Sequence, residues 1–181
     1  PMFLVGAVGA GMFQSSALGW ILFASHISGV YLVCFLMRFA VKKSASAEVP
    51  ALSFGKNDSN PLTDSVLSVL AVGGAIAIFY AFSGILRDAL SLAGLKNGFL
   101  SATVTGLIEM TSGCKLCADI GGIYSVALSA FLVTFGGGCV LIQQTVFLSR
   151  AGVKTFPFMA VKLLQGCVAA LIALGLSAAV L

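Results

Sequence analysis

The sequence predicts an all-α fold: a polytopic bundle of membrane helices with a re-entrant hairpin and broken helices, arranged as an inverted-repeat transporter. Composition is the first reason, because 59% of the 181 residues are hydrophobic, only 9% are charged and the mean hydropathy is +1.09. Such values are typical of integral membrane proteins and not of soluble domains. The other reasons are long apolar stretches that could span a bilayer, and shorter ones that are interrupted by glycines.

Three uninterrupted spans are predicted, because a helix needs about 20 apolar residues to cross the hydrocarbon core. They cover residues 18–39, 63–86 and 155–178. The polar, turn-rich residues 44–61 between the first two predict a loop. Within that loop Asn60 and Pro61 are start signals for the second span.

Three apolar segments are too short or too interrupted for simple spans: 2–13, 98–112 and 121–149, the last broken by Gly136, Gly137 and Gly138. Segments of this kind mark the binding sites of many transporters. Unwound backbone at membrane depth needs protein or water as a partner, so we expect a cavity beside the glycines. Residues 98–119 are expected to enter and leave on one side as the re-entrant hairpin.

Basic residues predict the orientation. Arg38, Lys42 and Lys43 place the end of the first span in the cytoplasm, and Arg150 with Lys154 place the start of the last span there too. The chain is therefore expected to be a multi-pass protein of the cell membrane.

An internal repeat is suggested by comparing residues 1–39 with 138–177: each has a short half-helix, a break and a full span. The breaks are QSSALG at 14–19 and SRAGVKT at 149–155. This divides the chain into the end of a first repeat (1–43), a cytoplasmic loop (44–61) and a second repeat (62–181). The first repeat is expected to have an upstream half before Pro1, in the same protein or supplied by a homo-oligomer partner.

The stretch GLIEMTSGCKLCAD, residues 106–119, places the charged residues Glu109, Lys115 and Asp119 in an otherwise apolar part of the sequence. A charged side chain at bilayer depth costs roughly 2.5–3.5 kcal/mol and usually faces a wet cavity. Thr111, Ser112 and Gly113 favour a helix end. We therefore expect a helix that stops inside the membrane and presents its polar terminus to a ligand.

Each polar side chain has a functional and a structural interpretation. Glu109 is expected to bind a proton, a cation or the ligand, the alternative being a structural carboxyl that is neutral or paired with Lys115. Lys115 either holds an anionic substrate or snorkels to the interface. Asp119 is expected to cap the helix that begins near Gly121.

Gln143 is expected to face the cavity, the alternative being a hydrogen bond between helices. His26, the only histidine, is expected to make a polar contact between helices and not to be a proton relay element. Most of the five cysteines are expected to be small buried hydrophobes. A soft metal site made by Cys114, Cys117, Cys139 and Glu109 stays an alternative.

These motifs resemble a family. GLIEMTSGCKLCAD, TFGGGCVLIQQTVFL at 134–148 and PMFLVGAVGAGMF at 1–13 are similar to nucleoside-recognition or Gate-domain membrane proteins, in particular the YlbJ-like sporulation integral membrane proteins. The resemblance covers nearly the whole chain and corresponds to the C-terminal portion of such a protein. It implies two inverted halves around a central site, related to concentrative nucleoside transporters.

The resemblance also implies site residues and a solute. The matching positions are Glu109, Thr111, Ser112, Gly113, Gly137, Gly138 and Gln143. Sporulation members of the family are associated with movement of the dicarboxylate dipicolinate, so a dicarboxylate or a nucleoside-like molecule is the implied solute.

The expected function is thus transport of a small polar or anionic solute across the lipid bilayer. No motif of soluble catalysis is present, so no enzyme activity is expected. Nucleic acid is not an expected partner, and no cofactor is expected beyond a coupling H⁺ or Na⁺. The alternatives are a metal-ion permease using the three cysteines and a membrane scaffold that transports nothing.

Overall fold

The computed structural model describes residues 2–40, 60–95, 97–150 and 154–180, which form one π-helix and seven α-helices. They are π1 (Met2–Met12), α1 (Ser16–Ala40), α2 (Pro61–Leu92), α3 (Gly98–Ile108), α4 (Met110–Ile120), α5 (Gly122–Phe135), α6 (Gly137–Arg150) and α7 (Thr155–Val180). The all-α prediction is confirmed.

Within the described residues, four stretches are long and apolar enough to cross a membrane: Ser16–Phe39, Pro61–Leu92, Gly122–Thr145 and Thr155–Val180. Three of them are the predicted full spans, and the fourth joins α5 to most of α6. The chain is therefore a multi-pass membrane protein, as predicted. Lys42, Lys43 and nearly all of the predicted loop 44–61 lie outside the described residues, as do residues 151–153.

The helices begin where the sequence supplies caps. The Asn60 side chain accepts a hydrogen bond from the Leu62 amide at 3.2 Å, with Pro61 in the first turn of α2. Asn97 caps α3 in the same way, accepting from the Phe99 amide at 3.0 Å. A side-chain oxygen at this position satisfies amides that have no partner within the helix.

The most buried span is Gly122–Thr145, which contains α5. α7 packs along both α5 and α1, while π1 packs against α1 and α3 against α4. Close approach of α1 and α7 is possible because Gly29 lies against Ala169, where an added Cβ would be 3.0 Å from the alanine Cβ. The buried core includes Leu22, Ala102 and Leu132. Among the described elements α2 packs mainly along α3 and α6, and it is the most exposed span.

Three predicted boundaries and one predicted cap were wrong. The break predicted over 14–19 is shorter, because α1 already begins at Ser16. The second span was expected to stop at residue 86, but α2 continues through Arg87 and Asp88 to Leu92. Helix α3 stops at Ile108 and not at 112, for a reason given below.

The fourth correction concerns the start of α5. Asp119 was expected to cap this helix, but it lies within α4, which continues to Ile120. The cap position is occupied by Gly121, whose φ of 72° suits glycine, and no side chain caps α5.

Candidate functional site

Glu109 joins α3 to α4 and is both the C-cap of α3 and the N-cap of α4. Its extended backbone, with φ −137° and ψ 109°, interrupts the helix, while its amide still donates to the Thr105 carbonyl at 2.8 Å. Its carboxylate accepts from the Thr111 amide (2.9 Å), the Ser112 amide (2.7 Å) and the Thr111 hydroxyl (2.6 Å). The side chain is a helix cap and is only 3% exposed.

This cap explains where the helix breaks. The helix was expected to break at Thr111, Ser112 and Gly113, but these residues form the first turn of α4. The break is at Glu109, whose carboxylate accepts hydrogen bonds from that turn. A carboxylate at a helix N-terminus is favoured by the free amides and by the helix dipole. Since Glu109 already uses the amides of Thr111 and Ser112, the α4 terminus does not offer these two amides to an anion, contrary to expectation.

The second break lies against the first. α5 ends at Gly136, with φ 98°, and α6 begins with Gly137, with φ 62°, as predicted for the triple glycine. A Cβ on Gly137 would stand 3.0 Å from the Gly106 carbonyl oxygen and 3.2 Å from the Met110 amide. These glycines therefore let the broken helix approach the hairpin backbone.

Gly113 and Gly138 differ in their surroundings. A Cβ on Gly113 would collide with Gly106 and approach Leu132 Cδ1 at 2.8 Å, so packing accounts for this glycine. A Cβ on Gly138 would be 3.4 Å from the Leu107 carbonyl oxygen, which is an ordinary van der Waals contact.

A cavity of about 340 Å³ opens between α2 and α4, with one residue from π1. It is lined by Met12, Tyr80, Arg87, Thr111, Ser112, Lys115, Leu116 and Asp119. The lining thus combines two cationic groups, one carboxylate, three hydroxyls and two apolar side chains. The arrangement suits a small anionic molecule that has polar oxygens.

Three predicted site residues line this cavity: Thr111, Ser112 and Lys115. Glu109 lies directly behind the first two. Gln143 is not among the lining residues; its amide lies 3.5 Å from Cys139 Sγ, one turn earlier on the same helix.

Tyr80 and Arg87 were missed. They are seven residues apart on α2, two turns of helix, and so lie on one face. That spacing was visible in the sequence, but Arg87 had been placed beyond the predicted end of the span.

The cysteines do not make a metal site. Cys114, Cys117 and Cys139 are all buried, and within the described part of the chain no group of three or more His, Cys, Asp or Glu side chains could hold a metal ion. The geometry gives the metal-ion permease no support.

Comparison with known proteins adds one relative. No family model and no solved structure matches the chain. The sporulation integral membrane protein YlbJ of Bacillus subtilis (strain 168) is 28% identical over an alignment 208 residues long. The alignment includes 94% of this chain and 51% of that protein. The chain thus spans about half the length of the curated relative it matches. This similarity, along nearly the whole chain, supports a YlbJ-like membrane protein and confirms that part of the resemblance seen in the motifs.

Proposed function

We propose that this chain forms part of a membrane transporter that binds a small anionic solute in the cavity between α2 and α4. The observation that carries the proposal is the lining itself, in which Arg87 and Lys115 face a space of about 340 Å³ together with the hydroxyls of Tyr80, Thr111 and Ser112. Lone cations in a membrane protein are costly, and those that line a cavity commonly mark a solute path.

The two cations have different chemical uses. The guanidinium of Arg87 is a planar fork that can hold both oxygens of one carboxylate, whereas Lys115 acts as a compact point charge. The Thr111 hydroxyl already donates to Glu109, so toward a solute it can only accept, and Tyr80 and Ser112 supply the other lining hydroxyls. Asp119 reduces the positive charge and disfavours anions that present no donor to it. A dicarboxylate with one group on each cation would use the whole lining.

Glu109 has a positioning role in this proposal. By accepting three hydrogen bonds from Thr111 and Ser112, it fixes the first turn of α4, which carries these two lining residues. These three hydrogen bonds stabilise the hairpin. It acts on the solute through these neighbours.

A link to sporulation and a dicarboxylate such as dipicolinate as solute complete the proposal. The first is supported by the name of the Bacillus relative and the second by the family resemblance. A nucleoside-like solute is the other class implied by the resemblance. It carries no carboxylate and would leave Arg87 and Lys115 without anionic partners, so the lining favours the dicarboxylate.

The test is uptake of labelled dipicolinate by liposomes that contain the full-length protein. We expect Arg87→Gln and Lys115→Gln to lower uptake at least tenfold, since each removes a charge-assisted hydrogen bond of about 1.5–3 kcal/mol. Arg38→Gln, an exposed arginine at the end of α1 and outside the cavity, is the matched control.

Wild-type uptake in both cavity variants would place the site elsewhere. If uridine is carried and dipicolinate is not, the solute is nucleoside-like. If the wild type carries neither, the scaffold interpretation is favoured.

A further inference from the structure

The cavity between α2 and α4 has one end at the hairpin tip and another end where both helices stop. At the tip, the Phe79 ring of α2 is 3.7 Å from the position of a Cβ on Gly138, in the break that adjoins the hairpin. At the far end, a short connection joins α2 to α3, and a Cβ on Gly98 there would be 3.6 Å from Ile120, the last residue of α4. The helices α2 and α4 therefore run in the same direction along the cavity.

This common direction brings the charged groups of the lining to one level. Arg87 follows Tyr80 on α2 by seven residues, and Asp119 follows Ser112 on α4 by seven residues, which is two helical turns in each case. Arg87 and Asp119 therefore both lie two turns from the tip. Lys115 precedes Asp119 by four residues and so lies on the same face of α4.

The lining carries an excess of one positive charge, because Arg87 and Lys115 are cationic and Asp119 is anionic. Within the part of the chain that the structure describes, none of these three side chains forms an ion pair or a hydrogen bond. A dicarboxylate brings two negative charges, so the occupied cavity would keep one negative charge without a partner. Such a charge is costly away from bulk water. One proton taken up with the solute makes the occupied cavity neutral.

The hydrogen-bonding groups of the lining also require a proton. An ionised Asp119 can only accept hydrogen bonds. The Thr111 hydroxyl donates to the Glu109 carboxylate at 2.6 Å, so from a solute it can only accept as well. A dicarboxylate that has lost both protons has no donor for either residue. A single proton on one carboxyl group supplies that donor.

We propose that Asp119 and one carboxyl group of the bound solute share a proton, so that the site takes up one proton with each dicarboxylate. This inference rests on the proposed function. Two carboxylates in contact repel each other when both are ionised, and a proton held between them forms a strong O–H···O bond. The proton comes from the water on the side where the solute enters and leaves with the solute on the other side.

Other titratable groups near Asp119 are differently placed. Of the elements packed against α4, α3 and π1 carry none in their described residues, and α5 carries Tyr124, which is exposed. Glu109 is occupied by its three hydrogen bonds, and Cys114 and Cys117 of α4 are buried in the core. Across the cavity, α2 contributes the groups already described, Tyr80 and Arg87.

The test is binding of dipicolinate to the full-length protein in detergent, measured by calorimetry between pH 6 and pH 8. Carboxyl groups in water titrate near about pH 4, so the free solute is a dianion over this range. If one proton binds with it, the Kd of the wild type should rise about tenfold for each pH unit.

Asp119→Asn provides an N–H donor and removes the carboxylate that needs the proton. We expect this variant to bind the dianion with the same Kd at every pH, and at pH 8 at least about tenfold more tightly than the wild type, because the repulsion is gone. Asp88→Asn is the matched control, since Asp88 is an exposed carboxylate of α2 that does not line the cavity. It should keep the pH dependence of the wild type.

A wild-type Kd that does not change with pH, or an equal pH dependence in Asp119→Asn, would overturn the shared proton and leave the proposed function in place. If the wild type binds no dipicolinate at any pH, the proposed function fails and the shared proton fails with it. If Asp119→Asn does not fold, Asp119→Ser, which is neutral and can donate, makes the same comparison.

Transport provides a second measurement in liposomes that contain labelled dipicolinate. Asp119→Asn should still exchange the label at equal pH, but it should lose the accumulation that a proton gradient drives in the wild type. Accumulation driven by the gradient in Asp119→Asn would contradict coupling through this residue.

Discussion

Glu109 shows how a single carboxyl can interrupt a helix and stabilise the next one. Its backbone leaves the helical conformation, and its side chain then accepts the amides of Thr111 and Ser112, which would otherwise have no partner. The cost of a buried charge is offset by three short hydrogen bonds and by the dipole of α4. The same residue therefore determines the hairpin tip and orients the Thr111 hydroxyl.

We expect Glu109→Gln to lower the free energy of unfolding by about 1–2 kcal/mol, because the amide side chain loses the charge and part of the cap. Thermal unfolding of the full-length protein in detergent should show a midpoint several degrees lower. Asp88→Asn removes an exposed carboxylate of α2 and should leave the midpoint unchanged. Equal midpoints for Glu109→Gln and the wild type would show that the three hydrogen bonds contribute nothing net.

At this scale the sequence predicted only part of the site. Thr111, Ser112 and Lys115 could be selected because polar groups inside apolar sequence need a reason. Tyr80 and Arg87 could not be selected with them. The cavity forms where α2 and α4 face each other in the fold, and the sequence near Tyr80 and Arg87 does not show which helix they will face. Gln143 was chosen on its position after the break, but its side chain contacts its own helix.

At the scale of elements, glycine placement was the strongest predictor. A residue with φ of 98° or 62° is strained for any L-amino acid, so three glycines in an apolar run indicated the break before α6. The hairpin break was placed late, because Ser and Thr in the first turn of a helix have the same composition as a helix end. Only the cap geometry separates the two, and it depends on where the Glu109 side chain points.

We expect Gly137→Ala to destabilise the protein by more than about 2 kcal/mol, since it combines a positive φ with a Cβ that would press on the Gly106 carbonyl and the Met110 amide. Gly73→Ala is the matched control. No atom lies within 4 Å of a Cβ at Gly73, which is inside α2, and alanine there should be neutral or stabilising by up to about 1 kcal/mol.

Thermal unfolding of both variants measures the difference. If Gly137→Ala unfolds at the same temperature as Gly73→Ala, the break tolerates a side chain. The close contact between the two breaks would then not be required for stability.

At the scale of the whole molecule, α1 and α7 run antiparallel. Gly29 lies beside Ala169, while Cys34, further along α1, lies 3.8 Å from the amide of Gln165, which comes earlier in α7. The end of α1 and the start of α7 are therefore at the same end of the bundle. The two basic clusters at these ends predict the same arrangement from charge alone, and they assign that end to the cytoplasm.

This arrangement predicts that residues 44–60 and 151–154 are reached from the same side of the membrane. In a cysteine-free form of the full-length protein, single cysteines in these two ranges should react with an impermeant thiol reagent only when it is applied from the cytoplasmic side. A cysteine at position 95, three residues beyond α2, is the control and should react from the opposite side, because α2 crosses once after the first loop. If residues 44–60 and 151–154 react from opposite sides, α1 and α7 cannot both span the bilayer as an antiparallel pair. The inverted repeat would then be wrong as well. If both ranges react only from the outside, α1 and α7 still form an antiparallel pair, but the protein has the opposite orientation in the membrane. The positive charges would then not determine that orientation.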